Sequence, residues 1–505
     1  MSATIGSALS WWSRQEPTRA AYVVGDTALD YATVESWSSR VAELLVAEGV
    51  APGDRVGLLA PNSVPWPVAA LGILKAGAVL VPLNPRFKPA ELRKLIDDAG
   101  AVAVIAADEM KTVVDEASSA GRAVTSITFS SIQVLRDGGS SCFRVDRASD
   151  DPIAIIFTSG STGQSKGVVL TNRTLLSIVL EASLTEAGFH RGSTSILLLP
   201  LAFTPGLVWG LLMTTVLGGT LVIEPDLNPS RAVTLIEQHG VEAIFGVPLI
   251  YQALAAAPEF ATADLTSLRT AVVGGAAVPV SLLEAWAEKG VALRQIYGMT
   301  EAGGIATSTP VSEFRDHPGS CGAGLIFTEV KVVRADGSDA SPGEAGELVI
   351  SGPGVTPGYW EAPEVNAEVF RDGWLHSGDL GTVDEQGRIT FVDRLKDLII
   401  TGGINVSPVE LEAVIAGVPG VRECAVIAAP DERFGETPAA IVHADEGFTA
   451  AELVARCGEL VADYKVPRYV VLRDAPLPRL PNGKISKVEI RREYADLTSR
   501  FDKVR

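Results

Sequence analysis

The chain has 505 residues, with 42 basic and 61 acidic side chains and a net charge of −19. That length exceeds what a single compact core carries and implies about two to four domains, while 47% hydrophobic and 20% charged residues exclude wholesale disorder. So negative a chain is no general nucleic-acid binder, because the phosphate backbone would repel it. Cys142, Cys321, Cys424 and Cys457 are not spaced as metal-ligand pairs and are too few for a disulfide framework, and the five histidines form no HExxH. No protein-built zinc site is expected from such a set.

The first residues, MSATIGSALSWWSRQ, lack a basic start followed by an apolar core, so no signal peptide is read there and a cytoplasmic location is expected. From 55 to 106, apolar runs at 55–60, 78–83 and 102–106 alternate with helical patterns at 67–77 and 88–100, each ended by glycine. Apolar strands separated by such helices predict βαβ units and a parallel sheet. Residues 192–223 carry no charge, long enough in principle to span a bilayer. Pro200, Pro205 and four glycines interrupt the run and no basic cluster flanks it, so a buried strand, loop, helix and strand is predicted.

The alternating pattern returns between 231 and 297, with strands at 243–247 and 270–273 and a helix at 281–290. From about 346 the texture changes to short alternating runs such as 347–350 and 388–392 among Gly, Pro and Asp, the pattern of antiparallel strands. The end of the chain reads as its own α+β unit: helix 408–416, strands 425–429 and 439–443, helix 450–461 and strand 469–472. The expected class is therefore α/β: a large N-terminal domain of parallel βαβ sheets (1–395) with a β-rich subdomain at about 320–395, and a small α+β C-terminal domain (396–505). From Lys465 onward there are 11 basic and 5 acidic side chains, a basic end suited to a phosphate-bearing ligand.

The sharpest local signal is IIFTSGSTGQSKGVVL at 155–170. An apolar run enters and another leaves. Between them Gly160, Gly163 and Gly167 let backbone N–H groups crowd an anion, hydroxyls add donors and Lys166 adds charge. Gly163–Gly167 also fits the G-x-S-x-G elbow of hydrolases, but that elbow needs a helix after its serine, and β-branched Val168 and Val169 follow here. A Walker A loop needs Gly-Lys-Ser/Thr, whereas here Ser165 precedes Lys166. Strand–loop–strand around a polyphosphate cradle is the expectation.

TSGSTGQSKG resembles the phosphate-binding signature of the adenylate-forming superfamily, in its acyl-CoA synthetase branch. Four further blocks follow in the family's order. Tyr297-Gly298-Met299-Thr300-Glu301 is similar to Y-G-x-T-E, and Ser377-Gly378-Asp379 to [ST]-G-D. The stretch from Asp393 through Arg394 and Lys396 to Glu410 resembles D-R-x-K-D…G-x-x-[IV]-x-P-x-E, and Pro481-Asn482-Gly483-Lys484 resembles P-x-G-K. The resemblance implies a ligase that turns a carboxylate and ATP into an acyl adenylate and pyrophosphate, then transfers the acyl group to the thiol of coenzyme A. Thr158, Ser159, Gly160, Ser161, Thr162, Gly163 and Lys166 would hold the phosphates, and Gly274, Gly275 and Ala276 would pack on adenine beside Tyr297 and Gly298. Asp379 and Arg394 would hold the ribose. Thr300 would meet the α-phosphate, Glu301 would hold Mg²⁺ through carboxylate oxygen, and Lys484 would bridge the attacking carboxylate and the α-phosphate. Lys396 would be the hinge on which the small domain swings between the two steps, with Gly402, Gly403, Phe434 and Gly435 bordering the thiol path.

The sequence departs from the family's pattern at two places, of which the first removes no donor and should have little effect. Ser165 stands where the family's loop has proline before its lysine. In Leu199–Gly206, Phe203 stands where many relatives have a histidine that gates the acyl pocket, and a phenylalanine can only fill space and exclude water. With Trp209, Val247, Ala277, Met299, Gly303 and Gly304 the expected acyl pocket is apolar and small-residue-lined, which favours a bulky uncharged acid, whether fatty, aryl or polycyclic. Two alternatives stand beside this one: delivery of the acyl group to a carrier protein's phosphopantetheine, and a degenerate nucleotide-binding regulator, against which the intact Glu301, Asp379, Arg394 and Lys484 argue. The expected partners are small molecules (acid, ATP, CoA), without nucleic acid or a transmembrane segment, and a homodimer stays open.

Overall fold

The computed structural model describes residues 3–119, 121–159, 165–276, 278–401, 404–480 and 483–505. They form two compact units, one of residues 1–330 with 350–375 and the other of 331–349 with 376–505. The second gathers the β-rich segment's strands with the C-terminal residues. The partition at Lys396 concerns which body moves, and remains a proposal.

The first unit holds two sheets. In the six-stranded sheet the order is Thr125–Thr128, Ala101–Ala106, Arg55–Leu59, Val79–Leu83, Pro152–Ser159 and Ser165–Thr171. All its pairs are parallel except the last. The predicted βαβ units thus form where the alternating pattern placed them. The first helix runs Pro65–Lys75 and begins two residues before its expected start, because Pro65 occupies N1, where a missing N–H costs nothing. The second, Pro89–Ala99, stops at Gly100, whose φ of 63° only glycine adopts cheaply. Helix Pro65–Lys75 lies close against helix Tyr31–Ala47: a Cβ on Gly72 would come within 2.5 Å of Val41. Trp37 and Trp66 are fully buried in the core that these helices share with both sheets.

The nine-stranded sheet has the central parallel order Leu293–Tyr297, Thr270–Val273, Ala243–Gly246, Thr194–Leu197, Thr220–Ile223 and Ala20–Val24. Its outer strands are antiparallel. The uncharged stretch 192–223 supplies two of these strands, joined through a π-helical turn Pro205–Leu212 and the helix Met213–Leu217. No helix among the described residues is long and apolar enough to cross a membrane.

In the second unit, the ladder between Trp374–Val383 and Ile389–Arg394 is antiparallel, as the alternation predicts, and sets Asp379 opposite Arg394. A separate five-stranded sheet is built on the long hairpin Val421–Asp431/Gly435–Ala444, with Tyr469–Arg473 added in parallel. Helices Pro408–Ala416 and Ala450–Leu460 cover one of its faces, where Leu411, Ile415, Leu453 and Cys457 are buried.

Candidate functional site

In the first unit the antiparallel ladder Pro152–Ser159/Ser165–Thr171 pairs Thr158 with Lys166 and Ser159 with Ser165. Because a strand begins at Ser165, this serine heads no helix and the hydrolase elbow is excluded. Gly160, Ser161, Thr162 and Gly163 lie outside the described residues, as does Ala277 of the expected acyl pocket. Lys166 places its ammonium 5.2 Å from the centre of the Tyr359 ring.

The sheet's parallel register brings the other predicted residues to one edge. Ala243–Gly246, Thr270–Val273 and Leu293–Tyr297 run side by side, so Val247, Gly274–Ala276 and Gly298–Met299 all follow carboxyl ends of neighbouring strands. That edge is where open α/β sheets bind ligands. The backbones crowd closely there. A Cβ on Gly274 would sit 2.6 Å from Ile296, and one on Gly298 2.2 Å from the Gly304 carbonyl oxygen. Beneath it, buried Arg294 pairs with buried Glu186 and donates to Ser308 Oγ and Thr309 O at 3.0 Å, which ties strand Leu293–Tyr297 to its antiparallel neighbour.

After Met299 the chain makes a single 3₁₀ turn, Thr300–Ala302, closed by Gly303 in the left-handed region. The turn turns Thr300 toward Thr204, with the two hydroxyl oxygens 2.8 Å apart. Trp209 donates its indole N–H to the Gly303 carbonyl at 2.8 Å and packs at a tilt against Phe189 and Phe245. A Cβ on Gly304 would meet Trp209 Nε1 at 2.5 Å, so this glycine is what lets the indole lie there. Ile156, Val169, Thr204, Val208, Thr300 and Thr356 line a cleft beside it. Trp209, Gly303 and Gly304 are therefore brought together as expected. Phe203 stands half-buried one residue before Thr204, and its carbonyl accepts the N–H of Leu207 at the start of the π turn.

Glu301 is buried. Its Oε1 accepts the Tyr359 hydroxyl at 2.7 Å, and its backbone carbonyl accepts the Thr356 N–H at 2.8 Å. Burial first, then the Glu301 charge, raise the Tyr359 pKa, so this phenol stays a donor. Among the described residues no group of three or more His, Cys, Asp or Glu is placed to hold a metal ion. A cation at Glu301 would draw its other ligands from phosphate oxygens and water, the habit of Mg²⁺, and a buried carboxylate with one oxygen engaged fits that role. Tyr359 and Thr204 were not singled out from the sequence. Tyr359 follows an uncharged Gly- and Pro-rich stretch at 352–358 that names no chemistry by itself, and only the fold brings the two residues to Glu301 and Thr300.

In the second unit, Asp379 is buried and its Oδ1 lies 3.5 Å from Arg394 Nε. Its N–H donates to Ser377 Oγ, which in turn donates to the Leu348 carbonyl. Glu347 takes the Gly378 N–H on one oxygen and His376 Nδ1 on the other. Asp393 is a further anchor that the sequence reading did not assign. Its carboxylate accepts Ser407 Oγ at 2.7 Å and the Val409 N–H at 3.0 Å, so strand Ile389–Arg394 is stitched to the start of helix Pro408–Ala416.

Near Lys484 the Leu480 N–H donates to Lys484 O and the Ser486 N–H to Pro478 O. Burial lowers the Lys484 pKa below the ordinary lysine value. The Arg394 guanidinium lowers it further and Asp379 opposes. Lys396 is lowered in the same way, by burial first and then by Arg394. Thus Asp379, Arg394, Lys396 and Lys484 form one electrostatic neighbourhood. Phe434 lies under the guanidinium groups of Arg468 and Arg433, at 4.4 and 4.9 Å, and Gly435 turns with φ 78°. Gly402 and Gly403 lie outside the described residues.

A family model for the AMP-binding enzyme matches residues 9–360, and one for the AMP-binding enzyme C-terminal domain matches residues 410–484. The chain is 39% identical over 484 residues to a feruloyl-CoA synthase of an Amycolatopsis species, covering 95% of this chain and 97% of that protein. It is 36% identical over 500 residues to the long-chain-fatty-acid–CoA ligase FadD13 of Mycobacterium tuberculosis, covering 96% and 98%. The ATP-bound crystal structure of MatB from Rhodopseudomonas palustris superposes with a TM-score of 0.88 at 31% identity, over 98% of this chain and all of that one.

Proposed function

Since this chain belongs to the AMP-binding enzyme family and is an acyl-CoA ligase that uses ATP, we propose that it activates an apolar, bulky carboxylic acid, fatty, aryl or polycyclic, and hands the acyl group to coenzyme A. In the first step a carboxylate oxygen attacks the α-phosphorus of ATP and pyrophosphate leaves. In the second, the CoA thiol attacks the acyl carbon, its proton passes to solvent, and AMP leaves. Both steps build charge on oxygen, so the protein contributes position and electrostatics rather than a nucleophile of its own.

The roles follow from chemistry at each place. Thr158 and Lys166, with the loop between them, would hold the β- and γ-phosphates, and Thr300, oriented by Thr204, would meet the α-phosphate. Gly274, at a strand's carboxyl end where a Cβ would meet Ile296, would with Gly275 and Ala276 admit the flat adenine. Asp379 would accept from ribose hydroxyls, with Arg394 donating beside it. Lys484, in a positive neighbourhood, would stabilise the negative charge that grows between carboxylate and α-phosphate. Glu301 would hold Mg²⁺, which supplies charge neutralisation for the departing pyrophosphate. Lys396 would serve as the hinge between steps, and Phe434 and Gly435 would border the thiol path.

One observation supports the apolar substrate most directly: the Trp209 indole, bonded to the Gly303 carbonyl and packed against Phe189 and Phe245, puts an uncharged aromatic cluster next to the Thr300–Gly303 turn. Feruloyl and long-chain fatty acyl groups, named for the two relatives, fall within that chemistry. The test is acid-dependent exchange of labelled pyrophosphate into ATP across fatty, aryl and polycyclic acids, followed by mass detection of the CoA thioester. Exchange with apolar acids alone is expected. Exchange only with amino or dicarboxylic acids would overturn the substrate class, and a thioester formed only on a carrier protein would overturn CoA as acceptor.

A further inference from the structure

We propose that Tyr359 is a positioning residue that aims the Glu301 carboxylate at the cation accompanying ATP and keeps it apart from Lys166. The inference rests on the reading of Glu301 as the cation's carboxylate.

Two opposite charges meet one side chain here. Lys166 faces the ring of Tyr359 at 5.2 Å, a cation–π contact, and Glu301 Oε1 accepts the hydroxyl of the same residue at 2.7 Å. Among the described residues Tyr359 is the only side chain bonded to the Glu301 carboxylate. A glutamate's terminal torsion is broad and two-fold. A donor held on one oxygen selects one orientation and leaves the second oxygen for a cation. By engaging the ammonium with its face and the carboxylate with its edge, Tyr359 keeps both charges available for a polyphosphate and its metal.

The tyrosine is itself held firmly. Its N–H donates to Asn366 Oδ1 at 2.7 Å, and its carbonyl accepts Asn366 Nδ2 at 2.9 Å. On either side, Val169 N–H donates to Gly358 O, and Trp360 N–H to Gly167 O, so residues 358–360 lie as an added edge on the strand that leaves the phosphate loop. Thr356, which bonds the Glu301 backbone, donates its hydroxyl to Val169 O at 2.6 Å. The loop-exit strand, Tyr359 and Glu301 are therefore joined by a continuous set of hydrogen bonds. A packing role alone would require the ring, which rests 6.0 Å from Phe370, but not the hydroxyl.

Tyr359→Phe keeps the ring and removes only the donor. ATP binding to the full-length protein is measured by calorimetry with Mg²⁺ and with EDTA, and pyrophosphate exchange is titrated with Mg²⁺. The expected result is unchanged metal-free ATP affinity, with the Mg²⁺-dependent gain in affinity reduced about tenfold and the half-saturating Mg²⁺ for exchange raised about tenfold, the scale of one hydrogen bond to a charged group. An unchanged Mg²⁺ dependence overturns the proposal, as does an equal loss with and without metal. Glu301→Gln is measured alone and with Tyr359→Phe. If Glu301→Gln leaves the Mg²⁺ dependence untouched, the reading of Glu301 fails. If it shifts that dependence while Tyr359→Phe does not, only the role of Tyr359 fails. In the Glu301→Gln background, Tyr359→Phe is expected to add nothing.

Discussion

Two lysines, Lys75 and Lys484, have their pKa lowered chiefly by burial, yet their surroundings are opposite in kind. Lys75 ends a core helix with no exposed side-chain surface. Its ammonium lies 2.9 Å from Glu35 Oε2, 2.6 Å from Ser39 Oγ and 3.1 Å from the Glu35 carbonyl. Its strongest charged neighbour is an anion that opposes the effect of burial. For Lys484 the strongest charged neighbour is the Arg394 cation, which adds to it. An interior pair of the first kind is electrostatically complete and holds two helices together. For Lys484, burial and Arg394 disfavour the charge and Asp379 favours it, a perturbation of the kind common at reactive sites.

The contrast is broken most severely at Lys484. Lys484→Ala is expected to lower acid-dependent pyrophosphate exchange by about two to four orders of magnitude, the usual scale for a lost transition-state charge contact. Thioester formation from supplied acyl adenylate should survive, and an equal fall in both steps would show that Lys484 does not serve the first step alone. At the other lysine, Glu35→Gln should cost about 3–5 kcal/mol of stability in denaturant titrations, because it strands a buried cation. Exchange activity of the folded fraction should stay at the parent level. The double change Glu35→Gln with Lys75→Met should recover most of the stability, since no buried charge is then left unpaired.

Phe203→His sharpens the comparison as a pocket change. It should shift the ratio of kcat/KM between fatty and aryl acids by about tenfold and leave the KM for ATP alone, within the range by which pocket groups discriminate substrates. An unchanged acid profile would remove Phe203 from the acyl pocket. The smallest effect is in pH. Lys484 must be protonated to act as a cation, and its lowered pKa means that it loses the proton at lower pH than an ordinary lysine. Adenylation should accordingly decline on the alkaline side before an unperturbed lysine would titrate. Lys484→Arg, whose charge persists beyond pH 12, should flatten that decline in a pH series of exchange rates whatever its overall rate.

Much of this molecule is legible without coordinates because its signals are local. Apolar runs alternating with amphipathic ones placed the parallel strands within a residue or two, and glycine positions marked where helices stop. The order of the chemical motifs picked out Thr158, Lys166, Thr300, Glu301, Asp379, Arg394 and Lys484 before any distance was known. Such features depend on the nearest few residues, which a linear reading contains.

Tertiary structure alone decided what those residues touch. Tyr359 lies 58 positions from Glu301 and Thr204 lies 96 from Thr300, and no pattern in the chain pairs them. The indole of Trp209 meets Gly303 because a π turn and a left-handed glycine bring two distant segments within 2.8 Å. How the burial and charge around Lys75 differ from those around Lys484 also could not be read from their neighbours in sequence. That distinction is a sum of burial and Coulomb interactions over groups that only folding brings together.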